Sequence, residues 1–269
     1  MKTAYLTTTA IIVLAALSSA AECAELPANV QEQVEAQVQQ MRSAGVPAEA
    51  ARDMLTTMHR YRFTDETIAS VQQETMHCAK AGLPTAPMMN KAMEGMAKQA
   101  SEQQIVAAVA AVHSRYAQAD RLAKTIAEEK EAVDAVMQAI ADTLAAGMQT
   151  RDMEAVVAQV KLHTRDQDKD KTDRDELAIQ TVQTARTMAR LGMRSPEVAD
   201  TLCQALQNRY THQEMQQLRH QLATGSHLMS PRQMSRQHSR AVGKSGHGGS
   251  GAAGAGGGAS GGGSGGAGS

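Results

Sequence analysis

A glycine recurs four times in the same small setting, as Ala44-Gly45-Val46, Ala81-Gly82-Leu83, Ala146-Gly147-Met148 and Leu191-Gly192-Met193. Nineteen residues after each stands a residue able to cap a new helix: Thr64, Ser101, Asp166 and Thr211. Glycine accepts the positive φ on which many helices end, and the apolar residue after it packs back on the last turn. Ser, Thr and Asp accept a hydrogen bond from the free N–H groups of a helix's first turn. Ser101 with Gln104 and Thr211 with Glu214 have the spacing of a capping box, and Asn29 with Glu32 is expected to open the first helix the same way.

Between these signals the apolar residues keep helical spacing. Met54, Leu55 and Met58 share a face, as do Met89, Ala92, Met93 and Met96, then Ile105, Val109 and Val112, then Met215, Leu218 and Leu222. No stretch alternates with the period of two that a half-buried strand requires. Ten residues after each glycine the side chain is apolar (Leu55, Ala92, Val157, Leu202), as expected if each unit buries the same face on its neighbour. The first two glycines are 37 residues apart and the last two 45, and the surplus of eight falls in the charged run from Asp166 to Glu176. The expected fold class is all-α: helical-hairpin repeats forming a short irregular solenoid or curved bundle of about nine helices.

The expected organisation has three parts. Residues 1–21 read as an export signal: Lys2, then the apolar core Ala10 to Leu17, then Ser18-Ser19-Ala20-Ala21 with small residues suited to cleavage. An uncleaved anchor and a lipid on Cys23 are the alternatives; Glu22 stands where a lipidation signal has a small residue. Residues 22–223 form the helical body, with sub-units 29–118 and 120–222 and a long connecting helix over 120–146. Residues 224–269 form a tail, basic at first and then rich in Gly, Ala and Ser, which lacks the apolar surface to offset ordering. Export points to the periplasm, with the extracellular space as the alternative. No other stretch is apolar for long enough to cross a membrane.

Charge divides unevenly along this plan. Lys2 and the tail's Arg232, Arg236, Arg240 and Lys244 are five of the 27 bases, so the body carries 22 against all 28 acids, a net −6. The tail allows weak contact with anionic surfaces, screened by salt. Nothing suggests nucleic acid as a partner.

Candidate chemistry is sparse. Asp166, Asp168 and Asp170 match the opening of a calcium loop, but Lys171 occupies the glycine position and Leu177 the closing glutamate. A solvated, salt-bridged loop or helix extension fits the run better. Met88, Met89, Met93 and Met96 are the densest thioether group among 17 methionines, and exported methionine clusters bind copper(I). Their spacing is also that of a helical core filled by methionine in place of leucine. With no tryptophan and one phenylalanine, the core must rest on Ala, Met, Leu, Val and Ile. Cys78 and Cys203 fall near apolar helical positions, which suits two buried thiols or a bridge between them. His113 sits at the edge of an apolar stripe, His227, His238 and His247 lie in the tail, and no HExxH occurs. His59-Arg60-Tyr61-Arg62 falls at a helix C-terminus, where cations are favoured. No nucleophile elbow or phosphate loop is present, so no catalytic residue, cofactor or metal site is assigned.

The stretch Gly82-Leu83-Pro84, then Pro87 through Lys98 (PMMNKAMEGMAK) and Ile105 through Val109, resembles a helical segment of uncharacterised exported bacterial proteins. Those read leucine at the positions of Met88, Met89, Met93 and Met96. The resemblance implies an exported helical protein and brings no activity or functional residues. The Trp, Tyr and Pro pattern of tetratricopeptide repeats is absent. The functional expectation is a non-enzymatic exported binding or scaffolding protein with one or more protein partners in the cell envelope. A periplasmic metal-handling protein is the alternative.

Overall fold

A computed structural model describes residues 26–165 and 170–225. The expected signal, Cys23, Asp166, Asp168 and the tail from residue 226 onward lie outside the described residues, while Thr224 and Gly225, expected to open the tail, end the last helix. The described residues are all-α, with ten helices and no strand. In chain order these are α1 (Ala28–Ser43), α2 (Ala48–Arg60), α3 (Asp65–Lys80), α4 (Ala86–Ala97), α5 (Glu102–Ile126), α6 (Lys130–Ala145), α7 (Thr150–Arg165), α8 (Lys171–Arg190), α9 (Ser195–Gln207) and α10 (His212–Gly225).

All four repeat glycines have positive φ: 96° at Gly45, 73° at Gly82, 103° at Gly147 and 78° at Gly192. Each closes its helix with the same pair of bonds. The Gly45 N–H donates to Arg42 O and the Val46 N–H reaches back to Met41 O, and Gly82, Gly147 and Gly192 repeat the pattern. Val46, Leu83, Met148 and Met193, the residues after the glycines, are all buried. Such a Schellman end satisfies carbonyls that a helix terminus otherwise leaves open.

The other junctions use the same motif without glycine. Arg62, Gln99 and Arg209, each seventeen residues after a repeat glycine, sit at φ 57°, 54° and 61°. The N–H groups of Phe63, Ala100 and Tyr210 make the matching long bonds, to Met58, Gly95 and Ala205. A left-handed conformation costs a residue with a Cβ roughly 1–2 kcal/mol. The side chain of Gln99 is exposed. Gln99→Gly is therefore expected to stabilise the protein by about 0.5 kcal/mol, the relief being partly offset by a freer unfolded chain. A rise in the urea midpoint at constant m-value reads it. In the third unit the equivalent position, Thr164, stays helical, so α7 runs on to Arg165, and the surplus of eight goes mostly into longer helices, α7 with 16 residues against 13 in α2 and α8 with 20 against 16 in α3.

The helix starts hold with two corrections. Thr64 accepts from the Thr67 N–H, and Ser101–Gln104 and Thr211–Glu214 form reciprocal capping boxes. Asn29 does not cap α1: the helix begins at Ala28 behind Pro27, leaving Asn29 inside its first turn. The start of α8 is capped by Asp170, which accepts from the Lys171 N–H at 2.7 Å.

The expected single helix over 120–146 is two helices. α5 ends at Ile126 and α6 begins at Lys130, with Glu129 extended between them. The cause lies far along the chain. Asp175 on α8 takes the N–H groups of Glu128 and Glu129 at 3.0 and 3.1 Å, supplying a helix start from outside.

The chain divides into two compact units, with the boundary between Ala110 and Ala111 inside α5. In the first, α2 packs on α1 and α4, and α3 also contacts both. The core there is Val38, Met41, Met54, Leu55, Met58, Ile68, Val71, Met88, Ala92 and Ile105, each at most 1% exposed. In the second, α8 lies between α6 and α10, while α7 packs on α9. Within each unit, helices two apart in the chain pack together, α2 with α4 and α1 with α3 in the first, α8 with α6 and α10 and α7 with α9 in the second, as successive hairpins do. Leu55, Ala92, Val157 and Leu202, the shared apolar position of the repeat, are all buried.

Candidate functional site

Several polar side chains tie a helix start to another helix of the same compact unit. The Glu102 carboxylate on α5 accepts from the Thr64 hydroxyl at 2.6 Å and the Thr64 N–H at 3.1 Å, at the start of α3. Asp175 does the same for α6. Ser195, at the start of α9, accepts from the Gln149 N–H at 2.8 Å and donates to Asp152 at 2.5 Å, holding the start of α7. His163 on α7 is buried and its Nδ1 lies 3.0 Å from Leu206 O on α9. Glu102 and Thr64 are 38 residues apart, against a glycine spacing of 37, and Asp175 and Ser195 reach back 46 or 47, against 45. Each tie therefore connects a helix start to its counterpart one unit on.

The Glu102 tie carries a pH signature. The Thr64 hydroxyl first, then Thr67, hold the Glu102 carboxyl below its usual 4.5, with the Thr64 N–H adding to this and burial opposing it. A carboxylate whose folded pKa is lowered stabilises fully above its unfolded pKa, and that contribution is lost as pH falls through the folded value. Wild type is therefore expected to exceed Glu102→Gln in stability at neutral pH. The gap should shrink once the pH drops below the ordinary glutamate range, as read by urea unfolding at stepped pH.

The acidic run is not solvated throughout. Lys171 pairs with Glu129 at 2.8 Å and Arg174 with Glu128 at 3.6 Å, as a salt-bridged extension predicts, yet Asp175 is only 5% exposed. Of the calcium-type trio only Asp170 is described, and it caps α8. Among the described residues no group of three or more His, Cys, Asp or Glu is placed to hold a metal. Met88, Met89 and Met96 are buried in the core of the first unit, and Met93 is exposed.

Cys78 and Cys203 are both free thiols and belong to different compact units. Burial chiefly pushes the Cys78 thiol up to about 12, with Glu74 adding to the effect. Cys203 is half-buried and is raised by the same cause, with Asp200 contributing. Both are protonated thiols at neutral pH, the unreactive form. His113 is half-buried, and His59 and Arg60 occupy the last turn of α2. Tyr61 is half-exposed and meets Phe63 edge-on at 6.4 Å.

Two grooves stand out. One in the first unit, of about 290 Å³, runs past Leu26, Val34, Glu35, Arg52 and Thr56. There Arg52 forks onto both Glu35 oxygens at 2.6 and 3.0 Å, and Arg60 lines the same groove. The other, in the second unit, is larger at about 680 Å³ and lies between α8 and α10. Arg186 and Thr187 line one side, and Gln216, Gln217, Arg219, His220, Gln221 and Ala223 the other.

The charges of this second groove are not balanced. Arg186 and Arg190 share one carboxylate, Asp142 on α6, at 3.2 and 3.3 Å, and Asp142 also accepts from Gln138. Arg219 bonds to the neutral amide of Gln183. Burial first, and then the like charge of Arg186, make the Arg219 guanidinium a stronger acid than an ordinary arginine, with Glu176 partly opposing. Arginine stays charged even so. Along α6, α8 and α10, three guanidiniums thus meet one ion-paired carboxylate, Asp142, and the more distant charge of Glu176. No sequence signal announced this, because Asp142, Arg186 and Arg219 are ordinary charged residues on three separate helices.

No family model, no curated protein and no solved structure matches the chain.

Proposed function

We propose that the chain is a non-enzymatic binding or scaffolding protein of the cell envelope, and that its helical-repeat body holds a protein partner. The observation that carries this reading is the open α8–α10 groove, walled by long polar side chains on rigid helices. Stacked helical hairpins offer extended surfaces of this kind for other chains to lie on. The placement in the envelope rests on Lys2, the apolar run Ala10–Leu17 and the small residues that follow. Among the described residues no helix is long and apolar enough to cross a membrane.

The test is affinity capture with the full chain from native envelope extract, followed by quantitation of what is retained. The reading expects one protein at stoichiometric amount that survives physiological salt. Retention of nothing above a bead control would overturn it.

A further inference from the structure

The α8–α10 groove has a charge pattern that specifies its occupant further. Arg186 and Arg219 approach from opposite walls, and Arg190 stands one turn beyond Arg186. Asp142 is shared between Arg186 and Arg190, and Arg219 bonds to the neutral Gln183 amide, with Glu176 on α8 acting on it only through its charge. Two guanidiniums held this close repel, and partial burial strips them of the water that would screen them. A fixed arrangement of this kind is relieved by an anion placed between the two walls. The planar fork of arginine matches a carboxylate with two parallel hydrogen bonds.

The neutral lining narrows the chemistry. Gln216, Gln217 and Thr187 both donate and accept hydrogen bonds, which suits the alternating N–H and C=O groups of an extended peptide. The lining holds no Phe, Tyr or Trp on which a base could stack, and its one ring is the His220 imidazole. Among the described residues of the second unit the one exposed large apolar side chain is Leu162, which lies on α7 and does not line the groove, unlike the apolar side chains of a lipid-binding face.

We propose that the groove between α8 and α10 binds a carboxylate-rich peptide segment of a partner protein, with Arg186 and Arg219 as the carboxylate-binding residues. This rests on the binding-protein reading above and names the chemistry of the partner at that site.

The probe is fluorescein-labelled hexaglutamate, titrated with the full chain and followed by anisotropy at about 50 mM salt, where exposed charges are screened least. Hexalysine, inorganic phosphate and vesicles of anionic phospholipid serve as comparison ligands. Hexaglutamate is expected to bind and hexalysine not. Arg219→Gln is expected to weaken hexaglutamate binding about tenfold, the loss of one charge-assisted pair. Lys161→Gln, the same charge change at an exposed site on α7, is expected to leave it unchanged. Gln217→Glu places a carboxylate on the exposed rim without touching the core, and is expected to abolish binding whether or not Arg219→Gln folds well. Equal binding to wild type and Gln217→Glu, or no binding by wild type, overturns the proposal. So does displacement by phosphate or anionic vesicles at the same concentration of negative charge, since the site would then select charge and not peptide. If a stoichiometric partner is captured and Gln217→Glu still holds it, the groove assignment fails while the binding-protein reading stands. If nothing is captured yet hexaglutamate binds at the groove, the reverse holds.

Discussion

Asp175→Ala is expected to lower the stability of the protein by about 3 kcal/mol, a large share of the total for a domain of this size. Asp175 is 5% exposed and its two oxygens each accept one backbone N–H, from Glu128 at 3.0 Å and Glu129 at 3.1 Å. Those are free donors at the start of α6, where the helix dipole also favours negative charge. Removing the carboxylate leaves both donors part-buried without an acceptor and opens the break between α5 and α6. Asp175→Asn keeps one acceptor oxygen and is expected to cost about half as much. Urea unfolding reads both losses, and faster amide exchange at Glu128 and Glu129 in the folded state locates them. A change below about 0.5 kcal/mol for Asp175→Ala, typical of surface substitutions, would mean that water caps α6 equally well.

Gly95→Ala is expected to cost about 2 kcal/mol, even though alanine is the better helix former by nearly 1 kcal/mol. A Cβ at Gly95 would stand 2.6 Å from Cγ1 of Ile105 and 3.2 Å from its Cδ1. Ile105 is only 1% exposed, and the offending Cγ1 is at the stiff, branched root of its side chain, so it has nowhere to turn. The start of α5 must therefore shift away from α4, in a region where Met96 and Val109 are both buried. The double variant with Ile105→Ala tests the cause, because it removes the clashing atom. The two changes together are expected to cost less than their sum by about 1 kcal/mol or more. Additive effects would show that Gly95 matters for some reason other than this close approach.

What the sequence made legible follows from which interactions are local. The helix ends at Gly45, Gly82, Gly147 and Gly192 could be read because glycine is the usual answer to a positive φ, and the caps at Ser101 and Thr211 because both partners lie three residues apart. Arg62, Gln99 and Arg209 take up the same backbone conformation without a residue type that signals it. The packing of the flanking helices imposes the turn there. The break at Glu129 was invisible for a different reason: Asp175 is brought to it only when α6 and α8 pack side by side. The same residue was misread as part of a solvated run, because the charges around it dominate the local composition. Asn29 has the right partner spacing, but Pro27 starts the helix two residues earlier. The α8–α10 groove shares the problem of Asp175. Asp142, Arg186 and Arg219 stand 44 and then 33 positions apart and acquire meaning only as neighbours in one row of helices.

The claim at the centre of this account is that the helical-repeat body is a surface for another protein. The most direct test is hydrogen–deuterium exchange of the full chain, alone and saturated with the protein it captures from native envelope extract. The account predicts slower exchange along the facing sides of α8 and α10, lost in Gln217→Glu. A partner that protects no segment between residues 26 and 225, or the failure of any protein to bind, would contradict it.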